Sequence, residues 1–228
     1  MKAAETYLGK YNVGYGLRYP DGYFIRVVGQ ILEYEELMKE MKSGGVKVLD
    51  YGCGNGVHLA FLKSRWPGSQ LYGLDISEIA IEQAKVSLPE EADQLSVCTS
   101  VPIISDIFPN QKYDLIMANQ VLYYLDDANI KIMMDQFYDL LNPGGKIFVT
   151  WMGVENYYYK LSTKLPGTNM RQVVLTKRLQ ETSEINFKDK KSFNDLFDKY
   201  KKLHLGYYDS VIREDEGSTM HYFYVGKK

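Results

Sequence analysis

The stretch VKVLDYGCGNGVHLAFL, Val46 to Leu62, joins an apolar run to a helical pattern through three glycines in five residues, Gly52, Gly54 and Gly56. The run Val46–Tyr51 is long enough for a buried strand and too short for a core helix. Residues Gly56–Arg65 then take helical spacing, and Pro67-Gly68 ends them. A strand, a tight turn and a helix make the first half of a βαβ unit, which requires a parallel partner strand. Asp50 lies near the end of the strand, two residues before the first glycine, Gly52.

The same alternation continues. Gln70–Asp75 reads as a strand, and Ser77 can cap a helix reaching about Leu88 through its hydroxyl. Leu95–Thr99 and Tyr113–Ala118 read as strands, and Asp126–Leu141 as a helix. Asn142-Pro143-Gly144-Gly145 turns the chain into a strand at Lys146–Trp151. Lys191–Tyr200 reads as a helix, followed by strands at Leu203–Ile212 and Thr219–Val225. The link Arg213–Ser218 is too short for a helical crossover, so the last strand should run antiparallel to its neighbour. The expected fold class is α/β, a doubly wound, mostly parallel seven-stranded sheet. A helical pattern at about Tyr23–Met41, ended by Ser43-Gly44-Gly45, precedes it. The expected organisation is therefore 1–45 as an N-terminal lid segment and helix, and 46–228 as the main domain. Residues 154–190 show no clear pattern and read as an insertion covering the site.

A chain of 228 residues suits one domain with additions. The net charge of -2 gives no global attraction to nucleic acid or to an anionic membrane. No run approaches the ~20 apolar residues of a membrane span, and MKAAETYLGKYN lacks the apolar core of a signal peptide. Cytoplasmic location is the expectation. Cys53 and Cys98 read as free thiols, and no Cys/His spacing suggests a metal site. Twenty tyrosines are many, and their flat apolar rings with polar tips suit a small-molecule pocket.

In a doubly wound sheet, ligands bind beyond the carboxyl ends of the strands. The dinucleotide fingerprint G-x-G-x-x-G would place its third glycine at Val57, but here it falls at Gly56. Val57 and His58 stand where a phosphate-binding loop needs lysine and a hydroxyl residue. A carboxylate at Asp50 would repel a pyrophosphate and favour a cation. S-adenosylmethionine carries an ammonium and a sulfonium and no phosphate.

The motif Asp50-Tyr51-Gly52-Cys53-Gly54-Asn55-Gly56 resembles the first motif of the class I S-adenosylmethionine-dependent methyltransferases. YGLDIS (Tyr72 to Ser77) resembles their second, YDLIMANQVLYYL (Tyr113 to Leu125) their fourth, and LLNPGGKIFV (Leu140 to Val149) the entry to their fifth strand. The resemblance spans about Val46 to Trp151. It implies that Asp50, Gly52, Gly54, Asn55 and Gly56 cradle the cofactor, that Asp75 grips the ribose diol, and that Ile76 packs on adenine. Ser100, Asn119 and Gln120 complete the implied set. The sequence departs from the family after strand three, where Ser100 stands near the position of an acidic adenine ligand. It departs again after strand four, where Gln120 occupies the neighbourhood of a frequent histidine or acidic base.

The sulfonium is already a strong electrophile, so orientation carries much of methyl transfer. A base is needed most for a hydroxyl acceptor. Tyr123, Tyr124 and His221 are the catalytic candidates, while an amine or carboxylate acceptor would need none. Tyr15, Tyr124, Trp151 and Tyr157 are expected to wall the acceptor site. Tyr11, Arg18 and Tyr19 are expected to close over the cofactor as a lid. His58 and His204, and the doublet Tyr207-Tyr208, read as packing residues. The expected activity is methylation of a small molecule on oxygen or nitrogen, with no membrane or nucleic-acid partner and an open oligomeric state. An RNA or protein methyltransferase, a non-catalytic binder of the same cofactor, and a nicotinamide-dependent oxidoreductase remain as alternatives.

Overall fold

The computed structural model describes residues 19–33, 45–175 and 181–228. The lid candidates Tyr11, Tyr15 and Arg18 lie outside the described residues. Helix α1 (Gly22–Val27) runs into a π-helical turn, Val28–Leu32, closed by Glu33 N–H donating to the Val28 carbonyl at 3.0 Å. The single long helix expected from Tyr23 is thus interrupted at its second turn, and 34–44 lie outside the described residues. Then follow β1 (Lys47–Tyr51), α2 (Val57–Arg65), β2 (Gln70–Asp75), α3 (Glu78–Ser87), β3 (Leu95–Val97), α4 (Ile104–Ile107), β4 (Tyr113–Ala118), α5 (Asp127–Leu140) and β5 (Leu141–Met152). The final elements are α6 (Tyr157–Leu161), β6 (Ser162–Lys164), β7 (Arg171–Leu175), β8 (Glu181–Ile185), α7 (Lys190–Asn194), β9 (Lys201–Tyr208) and β10 (His221–Lys227).

Seven strands form one sheet in the order β3-β2-β1-β4-β5-β10-β9. The first five pair in parallel, and β10 is antiparallel to both β5 and β9, as the short link before it requires. The order reverses beside β1, between β2 and β4, which is where such sheets open a crevice. Successive side chains alternate between faces. Leu49, Ile116, Ile147, Val149 and Tyr224 fill one core, while Val48, Leu115, Met117, Phe148 and Val225 fill the other. Helix α1 closes the second core with Phe24 and Val27, followed by Val28 and Leu32. Each buried side chain of this size contributes about 1.5–3 kcal/mol, which holds α1 against the sheet.

Several boundaries differ from the sequence reading. The expected helix Lys191–Tyr200 ends at Asn194 and tightens into a 3₁₀ turn, Asp195–Phe197, that tucks Phe197 flat against Tyr224 at 3.8 Å. Strand β9 stops at Tyr208 rather than Ile212, and β10 starts at His221. Residues 154–190, patternless in sequence, hold α6 and a separate antiparallel sheet ordered β6-β7-β8. Asn186 ties this insertion to the loop after β4: its N–H donates to the Tyr123 carbonyl (2.7 Å) and its amide to Asp127 (2.9 Å). Lys188 adds an ion pair to the same Asp127 oxygen at 3.0 Å. Burial pushes the Asp127 carboxyl up, but hydrogen bonds from Asn186, Lys188 and Asn169 prevail and hold it below the usual range. Among the described residues no helix is long and apolar enough to cross a membrane.

Candidate active site

The carboxyl ends of β1, β2 and β4 converge at the crevice, and the glycine loop lies across it. Gly52, Gly54 and Gly56 all take positive φ (79°, 55° and 76°), which side chains rarely tolerate. Two of them are also pressed by protein. A Cβ on Gly52 would lie 2.6 Å from Val121 Cγ2, and one on Gly56 would lie 2.9 Å from Ala84 Cβ. These glycines close the loop onto the protein itself, which is a tighter requirement than room for a ligand. The loop is pinned to β2, with the N–H groups of Gly52 and Cys53 both donating to the Leu74 carbonyl.

Asp75 sits at the end of β2. One carboxylate oxygen accepts from Gly54 N–H (2.8 Å) and the other from Ser77 N–H (2.9 Å). Burial raises its pKa, and these backbone donors oppose the rise. Asp75 therefore shapes the loop, and each of its oxygens keeps a lone pair. Ser77 caps α3 by accepting from Ala80 N–H, as expected. Ile76 is half-buried beside it.

Asp50 is the most unusual group. It is 1% exposed, and neither carboxylate oxygen has a hydrogen-bond partner among the described residues. Burial drives its pKa up to about 7, with nearby His58 pulling it down and Asp75 adding to the rise. A buried ion without a partner is costly, so the neutral carboxyl is favoured here until a partner arrives. His58 is buried too, 3.4 Å from the Asp21 carboxylate and against the Phe24 ring.

Asn119 and Gln120 follow β4. Gln120 holds a left-handed backbone (φ 54°), a strained conformation for a non-glycine residue. Its N–H donates to Thr150 Oγ1 (2.7 Å), and its amide donates to the Tyr23 hydroxyl (2.8 Å). The Tyr23 hydroxyl in turn donates to Asn119 Oδ1 (2.8 Å), which also accepts from Thr150 (2.9 Å). Gln120 thus anchors α1 to the crevice, which accounts for a residue without basic character at this place.

The Tyr23 ring lies flat on Tyr208 (3.5 Å between centroids, 8° apart). The opposite neighbour of Tyr208 is His221, parallel to within 2° at 5.2 Å. Tyr123 stands 6.0 Å from the His221 ring and 4.7 Å from Tyr124. The sequence reading missed Tyr23 and Tyr208 as site residues. Alternation along β9 could have split the Tyr207-Tyr208 doublet, since Tyr207 is 67% exposed while its neighbour turns inward.

The remaining candidates scatter. Trp151 is fully buried, and its indole N–H donates to the Asn186 carbonyl at 2.6 Å. It offers no surface to an acceptor and supports the wall from behind. Tyr157 starts α6, its N–H bound to the Ser218 carbonyl (2.8 Å) and its ring against Tyr158. Tyr19 is 80% exposed, and Asn55 is half-buried in the glycine loop. Ser100 is exposed after β3, and its carbonyl is taken by the Tyr51 hydroxyl. Cys53 and Cys98 are free thiols, and among the described residues no acidic, His and Cys cluster could hold a metal.

Residues 49–147 match the family described as "Methyltransferase domain". Malonyl-[acyl-carrier protein] O-methyltransferase 1 of Ilyobacter polytropus is 32% identical over 145 residues, 62% of this chain and 52% of that protein. Trans-aconitate 2-methyltransferase of Escherichia coli is 34% identical over 119 residues, 50% of this chain and 42% of that protein. The chain spans about half the length of these curated relatives. The solved structure of the PH0226 protein of Pyrococcus horikoshii superposes with a TM-score of 0.64 at 19% identity, covering 96% of this chain and 98% of that one.

Proposed function

We propose that this chain is a class I S-adenosylmethionine-dependent methyltransferase, a reading supported by the methyltransferase-domain match at residues 49–147 and by the relatives named above, and that it methylates a small-molecule acceptor on oxygen or nitrogen. The single observation that carries the reading is Asp50, a buried carboxylate with both oxygens unpartnered among the described residues, beside a glycine loop. The cofactor's ammonium supplies the missing charge there. Asp75 has lone pairs left for the ribose hydroxyls, Ile76 covers one face of adenine, and the Ser100 side chain meets its edge.

When bound, the cofactor supplies a methyl group on a sulfonium. The protein's own work is orientation. Asp50, Asp75 and the loop fix the donor, while the α1–β4–β10 cluster and the insertion 154–190 bound the acceptor side. Holding both partners in line is worth about 7–11 kcal/mol of barrier. The two relatives are named for methylating malonyl-[acyl-carrier protein] and trans-aconitate.

Native mass spectrometry of the purified protein tests the cofactor, and transfer of labelled methyl to a metabolite panel tests the activity. Co-purification of S-adenosylmethionine or its demethylated product, with turnover of at least one small acceptor, is the expected result. Binding without any turnover would leave a non-catalytic binder, and methylation of RNA or protein alone would overturn the acceptor class.

A further inference from the structure

His221 begins β10, paired in register with Met152 at the carboxyl end of β5 and with Tyr208 at the end of β9. It therefore stands on the ligand-facing rim of the sheet. Its ring is clamped by the Tyr208 stack and by Tyr123. Nδ1 lies 2.7 Å from the Thr219 carbonyl. A carbonyl only accepts, so Nδ1 carries the proton and Nε2 is left with a lone pair. That Nε2 is buried, in a residue 7% exposed, and has no hydrogen-bond partner among the described residues. Leaving such an atom unsatisfied is costly, and a ligand that donates a hydrogen removes the cost.

We propose that His221 Nε2 is the specificity-determining contact of the acceptor site, receiving the O–H or N–H of the group to be methylated and disfavouring an acceptor that presents a bare carboxylate. The inference rests on the methyl-transfer reading above and narrows its substrate class. It also departs from what the names of the two relatives suggest. In the transfer, the acceptor's oxygen or nitrogen bonds to the methyl carbon as the carbon–sulfur bond breaks, and that electron pair stays on sulfur. The acceptor's proton passes to Nε2 and then to water. Burial lowers the His221 pKa to about 4, with the Thr219 hydrogen bond and the charges of Asp21 and Asp209 opposing. Such an imidazole does not ionise a hydroxyl beforehand. It takes the proton as the methyl arrives, when the acceptor atom becomes strongly acidic.

The test uses protein with ¹⁵N-labelled histidine, loaded with S-adenosylhomocysteine, and three probes of one shape: phenol, anisole and benzoate. The chain has three histidines, and comparison with His221→Phe assigns the signals of His221. Nε2 is expected to resonate as an unprotonated nitrogen from pH 5 to 8 and to move upfield with phenol, clearly more than with anisole or benzoate. Calorimetric phenol affinity should fall about two- to tenfold in His221→Phe, the loss of one hydrogen bond, and benzoate should be unaffected. A protonated Nε2, an equal response to benzoate, or indifference to phenol overturns the proposal. If His221→Phe does not fold, His58→Gln and His204→Gln assign the His221 signals by elimination, and the wild-type spectra then decide. Failure of the protein to bind S-adenosylhomocysteine would instead overturn the methyltransferase reading itself.

Discussion

The two ends of the crevice are built on different principles. The donor end comes from one contiguous segment, Asp50 to Ser77, where the turn glycines, the β2 carboxylate and the helix cap lie within thirty residues. The acceptor end is assembled from Tyr23, Gln120, Tyr123, Tyr208 and His221, held by ring stacks and by hydrogen bonds spanning some hundred positions. A contiguous site has its geometry fixed by local backbone chemistry. A dispersed site depends on the sheet being complete, and its side chains can change without disturbing the fold. On the proposed assignment, the donor end tolerates little change and the acceptor end sets specificity.

The comparison breaks most visibly at Asp75. Asp75→Ala removes the loop contact at Gly54 and the ribose contacts together, so calorimetry should show affinity for S-adenosylmethionine falling a hundredfold or more. Charged hydrogen bonds are worth about 1.5–3 kcal/mol each. An unchanged affinity would take Asp75 out of the site. Gly52→Ala or Gly56→Ala forces a Cβ onto Val121 or Ala84 at positive φ. Thermal unfolding should register a loss of about 1–3 kcal/mol, with cofactor affinity weakened in step, and an unshifted melting temperature would contradict the packing argument.

Asp50 gives an effect of opposite sign. Its folded pKa, about 7, lies above the ordinary carboxylate value, so between about pH 4 and 7 the folded state holds a proton that the unfolded chain has lost. Stability without ligand should therefore decline as pH rises through that window. Asp50→Asn should flatten the decline and raise the melting temperature near pH 8. A variant less stable than wild type at pH 8 would show that Asp50 has a partner in the free protein. The smallest effect belongs to Tyr23→Phe, which keeps the Tyr208 stack and deletes the hydroxyl joining Asn119 to Gln120. About 1 kcal/mol of stability should go, with donor affinity nearly untouched. A large loss of donor affinity would mean that the two ends are coupled.

The same contrast governs what could be read from sequence. Strands β1, β2 and β4, the Ser77 cap, the antiparallel last strand and the α/β class were legible because each rests on local periodicity or on link length. The place of Asp50 beside the glycines was legible too, while its burial without a hydrogen-bond partner came only from the fold. The insertion's small sheet was not, because β6, β7 and β8 are short and alternate weakly. Nor was the break in the first helix, since the apolar spacing continues through the π turn at Val28–Leu32. Tyr23 and Tyr208 were hidden for another reason. A tyrosine in a strand or helix looks the same whether it faces solvent or a site, and only the meeting of α1 with β9 gives these two a role. Trp151 misled in the opposite direction: it lies at the rim in sequence order, yet its side chain points into the core toward Asn186 and Phe193.

The central claim is that the orphaned carboxylate of Asp50 selects a positively charged nucleoside. Calorimetric titration of S-adenosylmethionine and of NAD between pH 5.5 and 8.5, on wild type and Asp50→Asn, tests it most directly. The account predicts no heat from NAD, binding of S-adenosylmethionine that tightens with pH through about 7 and then levels, and a weaker, pH-flat response in the variant. Tight binding of NAD, or an S-adenosylmethionine affinity identical in the two proteins at every pH, would contradict it.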